Sequence, residues 1–313
     1  MGNIVTSGVL GYVVGDALGL AYQGMSKEKI EGTNIVMDGF EDIPKGYWSD
    51  DTSTMLCTME SLSNGLDYRD IGDKLNRWIT EGYMTPQGKA FGAGKTTIEA
   101  LGRYESDSNV LELGSADERS NGNGSLMRML PLAYYLYAKD IGLEESIKII
   151  NNVSSITHRH VTAKTSCVIY TLFAMSLIEG NTMWNAYIDL KDKIEILSSN
   201  KDIELNGEAF SRILDNNIIM YDEKELWATG YCVDTLEAVF WSFLNGDGYA
   251  DCVLKAIKLG GDTDTIAALT GALAGIYYEE EDISPEWINQ IVKKEEIINL
   301  GNKFYNYLIE STN

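Results

Sequence analysis

Two short clusters of acidic and hydroxyl side chains stand far apart in this 313-residue sequence and share one pattern. The first reads SDDT at residues 49–52, and the second reads DTDT at residues 262–265. Each precedes an apolar run that predicts a helix, and capping of a helix N-terminus accounts for only one carboxylate per cluster. Oxygen ligands suit Mg²⁺ or Mn²⁺, and four carboxylates balance the charge of two such ions. Each cluster alone is more simply a helix cap, but together they predict a site for two divalent cations.

Glycine-rich turns lie at the predicted helix ends, beside polar residues. They read GDALG at 15–19, FGAG at 91–94, NGNGS at 121–125 and GGDTDT at 260–265. Glycine permits positive φ and close approach of the backbone to a ligand. A glycine turn that leads into a helix N-terminus presents free N–H groups, which suit phosphate. One such turn is weak evidence, but four of them beside acidic clusters indicate a binding site.

The other candidate residues carry weaker signals. The two histidines, His158 and His160, are spaced i, i+2, which does not place them on one helix face. From the residues alone, therefore, His158 is predicted to have a structural role. Arg128 is expected to be structural, with a buried acid as its partner. Asp16 is expected to support the site by hydrogen bonding rather than as a ligand. The four cysteines show no C-x-x-C spacing and predict buried free thiols rather than zinc ligands or disulfides.

Helices must position these residues, because apolar side chains recur at spacings of three and four along most of the sequence. The clearest apolar stripes begin at Ile4, Met55, Leu126, Val168, Leu236 and Ile266. The stripe from Ile266 predicts a helix that is buried on all sides, and a last, amphipathic helix is predicted near 291–309. Alternation of apolar and polar residues with a period of two, the pattern of a β-strand, is not sustained anywhere in the sequence. The predicted class is all-α, arranged around buried central helices.

Four stretches that differ in charge and polarity from the apolar, helix-like segments are predicted to be surface loops or short excursions. They are residues 25–47, 104–122, 181–206 and 215–228. No linker rich in Pro, Gly or Ser divides the chain, which predicts a single domain over 1–313. The net charge of −22 opposes binding to nucleic acid or anionic lipid, because both require Lys and Arg. No window approaches 18 apolar residues and no signal peptide is evident, so we expect no membrane association and a cytoplasmic location.

Seven motifs, in order along the chain, resemble those of the ADP-ribosylglycohydrolase family. They are GDALG (15–19), SDDT (49–52), FGAG (91–94), GNGSLMR (122–128), THRH (157–160), GYCVDTLEA (230–238) and GGDTDTIAALTGALAG (260–275). The resemblance spans nearly the whole chain, and the last motif is long and specific. It implies an all-α orthogonal helical bundle with a dinuclear Mg²⁺ or Mn²⁺ centre.

Carried over residue by residue, the resemblance assigns roles to the matching positions. The implied metal ligands are Ser49, Asp50, Asp51, Asp262, Asp264 and Thr265, and of these Asp50 and Asp51 are the implied catalytic residues. The residues implied to hold the diphosphate and the distal ribose are Gly92, Gly94, Ser120, Gly122, Asn123 and Gly124. His158 is expected to line the ADP-ribose cleft, and Tyr231 is expected to pack near the adenine.

Two positions depart from the family pattern. Ser49 stands where relatives usually have threonine, and the hydroxyl is kept. Gln23 stands where many relatives carry a glutamate, a candidate general acid or base in a mobile loop over the metals, and glutamine cannot transfer that proton. Three explanations stay open: another carboxylate such as Asp50, Asp51 or Glu28 acts, the metals alone activate water, or this chain is weakly active or cleaves a different linkage.

The implied activity is metal-dependent hydrolysis of the glycosidic bond at the anomeric carbon of ADP-ribose. The metals would orient the reacting ribose and activate water, while glycine-loop N–H groups would fix the diphosphate. Two alternatives remain: a binding or structural protein of the same fold that has lost turnover, and a two-metal phosphohydrolase acting on the phosphates of a nucleotide. The expected partner is an ADP-ribosylated protein or a small ADP-ribosyl conjugate, and we expect the chain to be a monomer.

Overall fold

Helices dominate the computed structural model, which describes residues 4–105, 107–201, 203–215 and 217–310. Within these residues there are 15 α-helices and no β-strand, so the all-α prediction is confirmed. The helices are α1 (Ile4–Leu20), α2 (Lys27–Ile30), α3 (Asp50–Leu62), α4 (Tyr68–Glu81), α5 (Lys95–Leu101), α6 (Leu130–Ala138), α7 (Leu143–Ser155), α8 (Val161–Ile178), α9 (Met183–Ser199), α10 (Ser211–Leu214), α11 (Cys232–Leu244), α12 (Tyr249–Lys258), α13 (Thr263–Tyr278), α14 (Pro285–Gln290) and α15 (Lys294–Glu310).

The centre of the molecule is the pair α1 and α13, which are buried along nearly their whole length. Both helices are apolar on every side, so neither has a face suited to solvent. The two backbones touch: a Cβ at Gly15 would overlap the carbonyl oxygen of Ala267, and the Thr263 hydroxyl donates to the carbonyl of Gly19 at 2.8 Å. The prediction that the helix from Ile266 is buried on all sides is confirmed.

The other helices form layers around this pair. Helices α11 and α12 pack on α13, and α15 packs on both α1 and α3. A second group, α6, α7, α9 and α11, surrounds α8. Among the described helices, α8 alone is long and apolar enough, by length and composition, to cross a membrane, and 83% of it is buried inside the protein. Such burial is what the core helix of a helical bundle shows.

The prediction of a surface loop or short excursion over 181–206 is wrong, because most of this segment forms the 17-residue helix α9. Its many charged residues alternate with an apolar stripe at spacings of one, three and four, made of Ala186, Tyr187, Leu190, Ile194 and Leu197. The hydroxyl of Thr182 caps the helix by accepting from the N–H of Asn185 at 3.3 Å. The high charge density favoured the prediction of an exposed, irregular segment, but the charged residues lie on the exposed face of an amphipathic helix. The buried face of this helix packs on α8.

The structure also tests the predictions for the cysteines and for the start of the last helix, and it shows how α4 begins. The four cysteines are buried free thiols, as predicted. Asp67 begins α4 by accepting hydrogen bonds from the N–H groups of Arg69 and Asp70, which is the N-cap chemistry of an acid before an amphipathic run. The last helix begins at Lys294, later than predicted, because Lys293 has a φ of 52° and separates it from α14.

Candidate active site

The first acidic cluster begins α3. The Ser49 hydroxyl caps the helix by accepting from the N–H of Asp51 at 3.1 Å, and it donates to Oδ2 of Asp51 at 2.9 Å. Asp16, which comes from α1, accepts from the N–H of Ser49 at 3.1 Å and from the N–H and hydroxyl of Thr52 at 3.0 and 2.6 Å. Asp16 therefore holds the start of α3 in place, which is the supporting role expected from the sequence.

The second acidic cluster begins α13 beside the first. Its loop is fixed because the N–H of Asp262 donates to the carbonyl of Ala228 at 2.9 Å. The Thr265 hydroxyl donates to Oδ2 of Asp51 at 3.2 Å. That hydrogen bond joins clusters that lie 214 residues apart in the sequence. The structure thus brings the SDDT and DTDT segments together at the N-termini of two neighbouring helices.

The densest group of carboxylates is Asp16, Asp51 and Asp264, one oxygen of each lying within 4.8 Å of the others. Burial raises the pKa of Asp51 and of Asp264, and repulsion from neighbouring carboxylates raises it further. Burial, with Asp16 and Asp262 nearby, raises the pKa of Asp50 to about 8. Among the described residues, no hydrogen-bond donor reaches the buried Oδ1 of Asp51. A buried carboxylate oxygen without a donor, beside further carboxylates, suits a cation.

The fourth acid of the two motifs, Asp262, is held by two amides. Its Oδ1 accepts from Nε2 of Gln23 at 2.8 Å, and its Oδ2 accepts from Nδ2 of Asn123 at 2.5 Å. The turn that carries Gln23 is also fastened to Gly261 by two backbone hydrogen bonds, both of 2.8 Å, from residues 24–25. Where the family pattern has a glutamate in a mobile loop, this chain has an amide bonded to the acidic cluster.

Glycine turns approach these acids closely. A Cβ at Gly92, whose φ is 83°, would overlap Oδ1 of Asp50. A Cβ at Gly124 would press on the ring of His158 and on the hydroxyl of Thr97. Only glycine leaves room at these two positions, and the space kept free belongs to one cavity.

A buried histidine stands next to the 122–124 turn. The Arg128 guanidinium donates to the carbonyl of Gly124 at 2.6 Å and to the Thr157 hydroxyl at 2.8 Å. Because that hydroxyl accepts from Arg128, its own proton goes to Nδ1 of His158, 2.8 Å away. We assign the His158 proton to Nε2 from this network. Burial, and then the charge of Arg128, lowers the pKa of His158 to about 3, so the ring is neutral.

The partners of Arg128 differ from those predicted. The prediction of a buried acid is wrong: beside Gly124 and Thr157, its guanidinium donates to the carbonyl of Val153 at 3.0 Å. Burial lowers the pKa of Arg128 to about 10, which leaves it charged at neutral pH. This buried cation lies under the glycine turn, where it favours an anionic ligand.

The acids and the glycine turns line one cavity of about 520 Å³. Lys95 and Arg119 add two basic side chains to the same lining. The cavity combines the four aspartates of the two acidic clusters, whose carboxylates attract metal cations, with backbone N–H groups and basic side chains, which attract phosphate.

Comparison with known proteins explains this combination. A family model described as ADP-ribosylglycohydrolase matches residues 3–312. The chain belongs to the ADP-ribosylglycohydrolase family. The resemblance drawn from seven motifs is therefore confirmed, and so is the helical bundle of the ADP-ribosylglycohydrolase type.

Individual ADP-ribosylglycohydrolases match this chain over most of their length. The ADP-ribosylarginine hydrolase Tri1 of Serratia proteamaculans is 29% identical over 302 residues, which cover 95% of this chain and 77% of that protein. The ADP-ribosyl-[dinitrogen reductase] glycohydrolase of Rhodospirillum rubrum is 26% identical, with 92% and 90% covered. A solved structure described as an ADP-ribosylglycohydrolase-related protein complex superposes with a TM-score of 0.78 at 28% identity and covers 98% of both chains.

Most positions that the ADP-ribosylglycohydrolase resemblance singles out line the cavity. They are Gln23, Asp50, Asp51, Gly92, Gly94, Gly122, Asn123, Gly124, His158, Asp262, Asp264 and Thr265. Ser49 is buried behind Asp51 as the cap of α3, and Ser120 lines a second cavity together with Arg119. Tyr231 is 42% exposed, and its backbone pairs with that of Gly122. Glu28 lies on α2, exposed and away from the cavity lining.

Several lining residues were not singled out from the sequence: Leu20, Phe40, Glu41, Phe91, Lys95, Thr96, Thr97, Arg119, Met127 and Gly230. Phe91, Met127 and Gly230 belong to quoted motifs, which were a sufficient signal for them. Phe40 and Glu41 fall within 25–47, where no periodicity or motif marks them. Their place at the cavity is known only from the folded structure.

Proposed function

We propose that this protein is a metal-dependent hydrolase that cleaves the glycosidic bond of ADP-ribosylated protein side chains, or of small ADP-ribosyl conjugates, and releases ADP-ribose. The observation that carries the proposal is the shared cavity, where the four aspartates of the acidic clusters meet two glycine turns. Acids alone would suit a metal-binding protein, and glycine turns alone would suit phosphate. The names of the Serratia and Rhodospirillum relatives support an ADP-ribosyl substrate, and the first of them supports an arginine linkage.

The donor set fits two divalent cations, Mg²⁺ or Mn²⁺. The proposed ligands are Ser49, Asp50, Asp51, Asp262, Asp264 and Thr265. The buried Oδ1 of Asp51, which no donor reaches, and the mutual repulsion of the acids support this assignment. When bound, the cations supply Lewis-acid chemistry that polarises water and sugar hydroxyls.

Groups of the chain itself bind the remainder of the substrate. Backbone N–H groups of 92–94, Gly122 and Gly124, with Nε2–H of His158, donate to the diphosphate and the distal ribose, while the N–H of Asn123 fixes the turn by donating to the carbonyl of Gly230. Lys95 and Arg119 balance the phosphate charge. These remote contacts orient the reacting ribose against the acids, so that binding energy far from the bond lowers the barrier.

The reaction exchanges one bond at the anomeric carbon. The bond to the leaving nitrogen or oxygen breaks, a bond to the oxygen of water forms, and one proton of that water ends on the leaving group. Charge in the transition state resembles an oxocarbenium ion, which the carboxylates of Asp50 and Asp51 stabilise. One of these two acids accepts the proton of the attacking water. Gln23 transfers no proton, because a side-chain amide is neither an acid nor a base at neutral pH, and its Nε2 instead donates a hydrogen bond to Asp262.

Product analysis tests the proposal. The protein is incubated with arginine-linked and serine-linked ADP-ribosyl peptides, with and without EDTA, and the products are identified by mass spectrometry. We expect intact ADP-ribose in the presence of Mg²⁺ or Mn²⁺ and none with EDTA. Release of AMP or ribose phosphate would identify a phosphohydrolase instead. No product, together with no cation binding in calorimetry, would identify a binding or structural protein.

Substitution of single acids tests the cation assignment. Asp51→Asn and Asp264→Asn are each expected to lower kcat/KM by at least about 100-fold, because each removes a proposed ligand. Circular dichroism should show that the fold is retained. Asp192→Asn, an exposed acid on α9, is the matched control and should keep the wild-type rate. Wild-type turnover in Asp51→Asn or Asp264→Asn would refute the assignment.

A further inference from the structure

We propose that Phe40 and Glu41 form the subsite for the leaving group and that this subsite selects a guanidinium, the head group of arginine. The inference rests on the proposed function, because it concerns the group displaced when ADP-ribose is released. The acidic motifs and glycine turns account for the sugar and the diphosphate. Phe40 and Glu41 belong to neither, yet they line the same cavity from the connection between α2 and α3. We name residues 36–46 of this connection the rim loop.

The rim loop is anchored at both ends. At one end the hydroxyl of Tyr22 accepts from the N–H of Val36 at 2.8 Å and donates to its carbonyl at 3.1 Å. At the other end the carbonyl of Gly46 accepts from the N–H of Val292 at 3.0 Å. Tyr22 precedes Gln23, the residue that donates to the acidic cluster. The rim loop is therefore tied to the side of the cavity where the reacting bond would lie.

The tip of the rim loop is a tight turn. Phe40 and Ile43 exchange two backbone hydrogen bonds, of 2.9 and 2.8 Å. Between them Glu41 has a φ of 50°, a left-handed conformation that a residue with a side chain adopts at a cost. Glu41 is exposed, Phe40 is half-buried, and both line the cavity. A strained residue fixed at the edge of a site is a candidate for direct ligand contact.

An aromatic ring beside a carboxylate is the pair of groups that a guanidinium binds. Its planar face stacks on a ring, and its N–H groups donate to carboxylate oxygens. Within the described part of the chain, Glu41 forms no ion pair, so its charge can serve a ligand. A neutral hydroxyl leaving group, as in a serine linkage, gains nothing from this charge.

The test compares two linkages in the metal-loaded, full-length protein. For Glu41→Gln we expect kcat/KM on an arginine-linked ADP-ribosyl peptide to fall about 10- to 100-fold, the effect of losing a charge-assisted hydrogen bond. On the matching serine-linked peptide, kcat/KM should stay within about two-fold, because that leaving group carries no charge. The affinity for free ADP-ribose should not change. Agmatine, a guanidinium without the sugar, should inhibit the wild type more strongly than the variant.

Two further variants sharpen the comparison. Phe40→Leu should lower the arginine-linked rate by about three-fold or more through loss of the ring face. Asp42→Asn is the matched control, since Asp42 stands on the same turn but does not line the cavity, and it should behave as the wild type.

The outcomes separate this inference from the proposed function. An equal fall on both linkages in Glu41→Gln, or no fall on either, would overturn the leaving-group subsite while ADP-ribose release by the wild type stands. A wild-type protein that releases ADP-ribose from neither peptide would refute the proposed function, and the subsite with it.

Discussion

His158 illustrates how a side chain can be buried almost completely and still line a cavity. Its Nδ1 is occupied by the hydroxyl of Thr157, which is itself held by Arg128. The remaining proton, on Nε2, lies beside the glycine turn 122–124. Protonation of the ring would add a second buried positive charge next to Arg128, which the pKa of about 3 reflects.

Acid should destabilise the protein through this residue. The folded pKa of about 3 lies below the ordinary value of 6.5, so the folded state binds fewer protons between the two. The contribution is present above the unfolded pKa and is lost as the pH falls toward the folded one. We expect His158→Gln to remove about 2 kcal/mol of the decrease in the free energy of unfolding between pH 7 and pH 5. Urea denaturation in EDTA at the two pH values measures it.

The control for this measurement is Thr157→Ser, which keeps the hydroxyl and should retain the wild-type pH dependence. An identical decrease in the wild type and in His158→Gln would contradict the assignment of a neutral, buried ring.

At the scale of elements, α1 and α13, which carry acids of the site, could be predicted from the sequence more reliably than a peripheral helix such as α9. The apolar stripes from Ile4 and Ile266 were sufficient for α1 and α13, because both helices are apolar all round. That these two helices touch could not be read from periodicity, which describes one helix at a time. A signal did exist: the glycines at 11, 15 and 19 on α1, and at 271 and 275 on α13, recur every four residues on one face.

In the candidate site, too, features contained in one segment of the sequence could be predicted, whereas contacts between distant segments could not. Both acidic clusters could be predicted, because each stands at a helix N-terminus and capping explains only part of its charge. Glu41 and the neutral partners of Arg128 could not, because they depend on contacts between segments distant in sequence. The prediction of a surface loop or short excursion over 181–206 fails for a related reason: polarity indicates exposure, and exposure does not exclude a helix such as α9.

Close packing of α1 on α13 should resist even one added carbon. Gly15→Ala is expected to lower the free energy of unfolding by about 2 kcal/mol, because the new Cβ overlaps the carbonyl of Ala267 and the helices must separate. Since Asp16 and Asp264 lie on these helices, cation affinity should fall as well. Urea denaturation and a calorimetric titration with Mn²⁺ measure the two effects.

Gly207→Ala is the matched control, because a Cβ there meets open space. A Gly15→Ala protein with wild-type stability and wild-type cation affinity would show that the helix contact does not fix the acids.

For the molecule as a whole, the acids of the site are a source of instability that a ligand can relieve. The chain has 47 acidic and 25 basic residues, and five of the acids crowd into one region. Burial raises the pKa of Asp16, and burial together with repulsion from neighbouring carboxylates raises the pKa of Asp50, Asp51 and Asp264. A raised folded pKa stabilises the protein at low pH, and this stabilisation is lost as the pH rises, toward about 8 for Asp50. Cations that bind the ionised acids therefore oppose that loss.

We expect Mg²⁺ or Mn²⁺, at about 100 times its Kd, to raise Tm by about 4 °C or more. At one fixed cation concentration, the increase should be larger at pH 8 than at pH 6, because protons compete with the cation for the same oxygens and weaken its binding at the lower pH. Differential scanning fluorimetry with and without EDTA gives the result, and Asp51→Asn should show a smaller increase. Equal Tm values with cation and with EDTA at pH 8 would exclude a cation site at these acids.

The hydrogen bond from Thr263 to Gly19 closes a span of 244 residues, and this has a consequence for synthesis of the protein. At the usual 5–20 residues per second, α1 leaves the ribosome roughly 12–50 seconds before α13 exists. During that time a helix with almost no polar surface has no partner to cover it, and it is a target for chaperones or for aggregation. Neither the contact between α1 and α13 nor the proposed cation site can form until the second acidic cluster has been translated, so we expect the proposed activity to appear only late in synthesis.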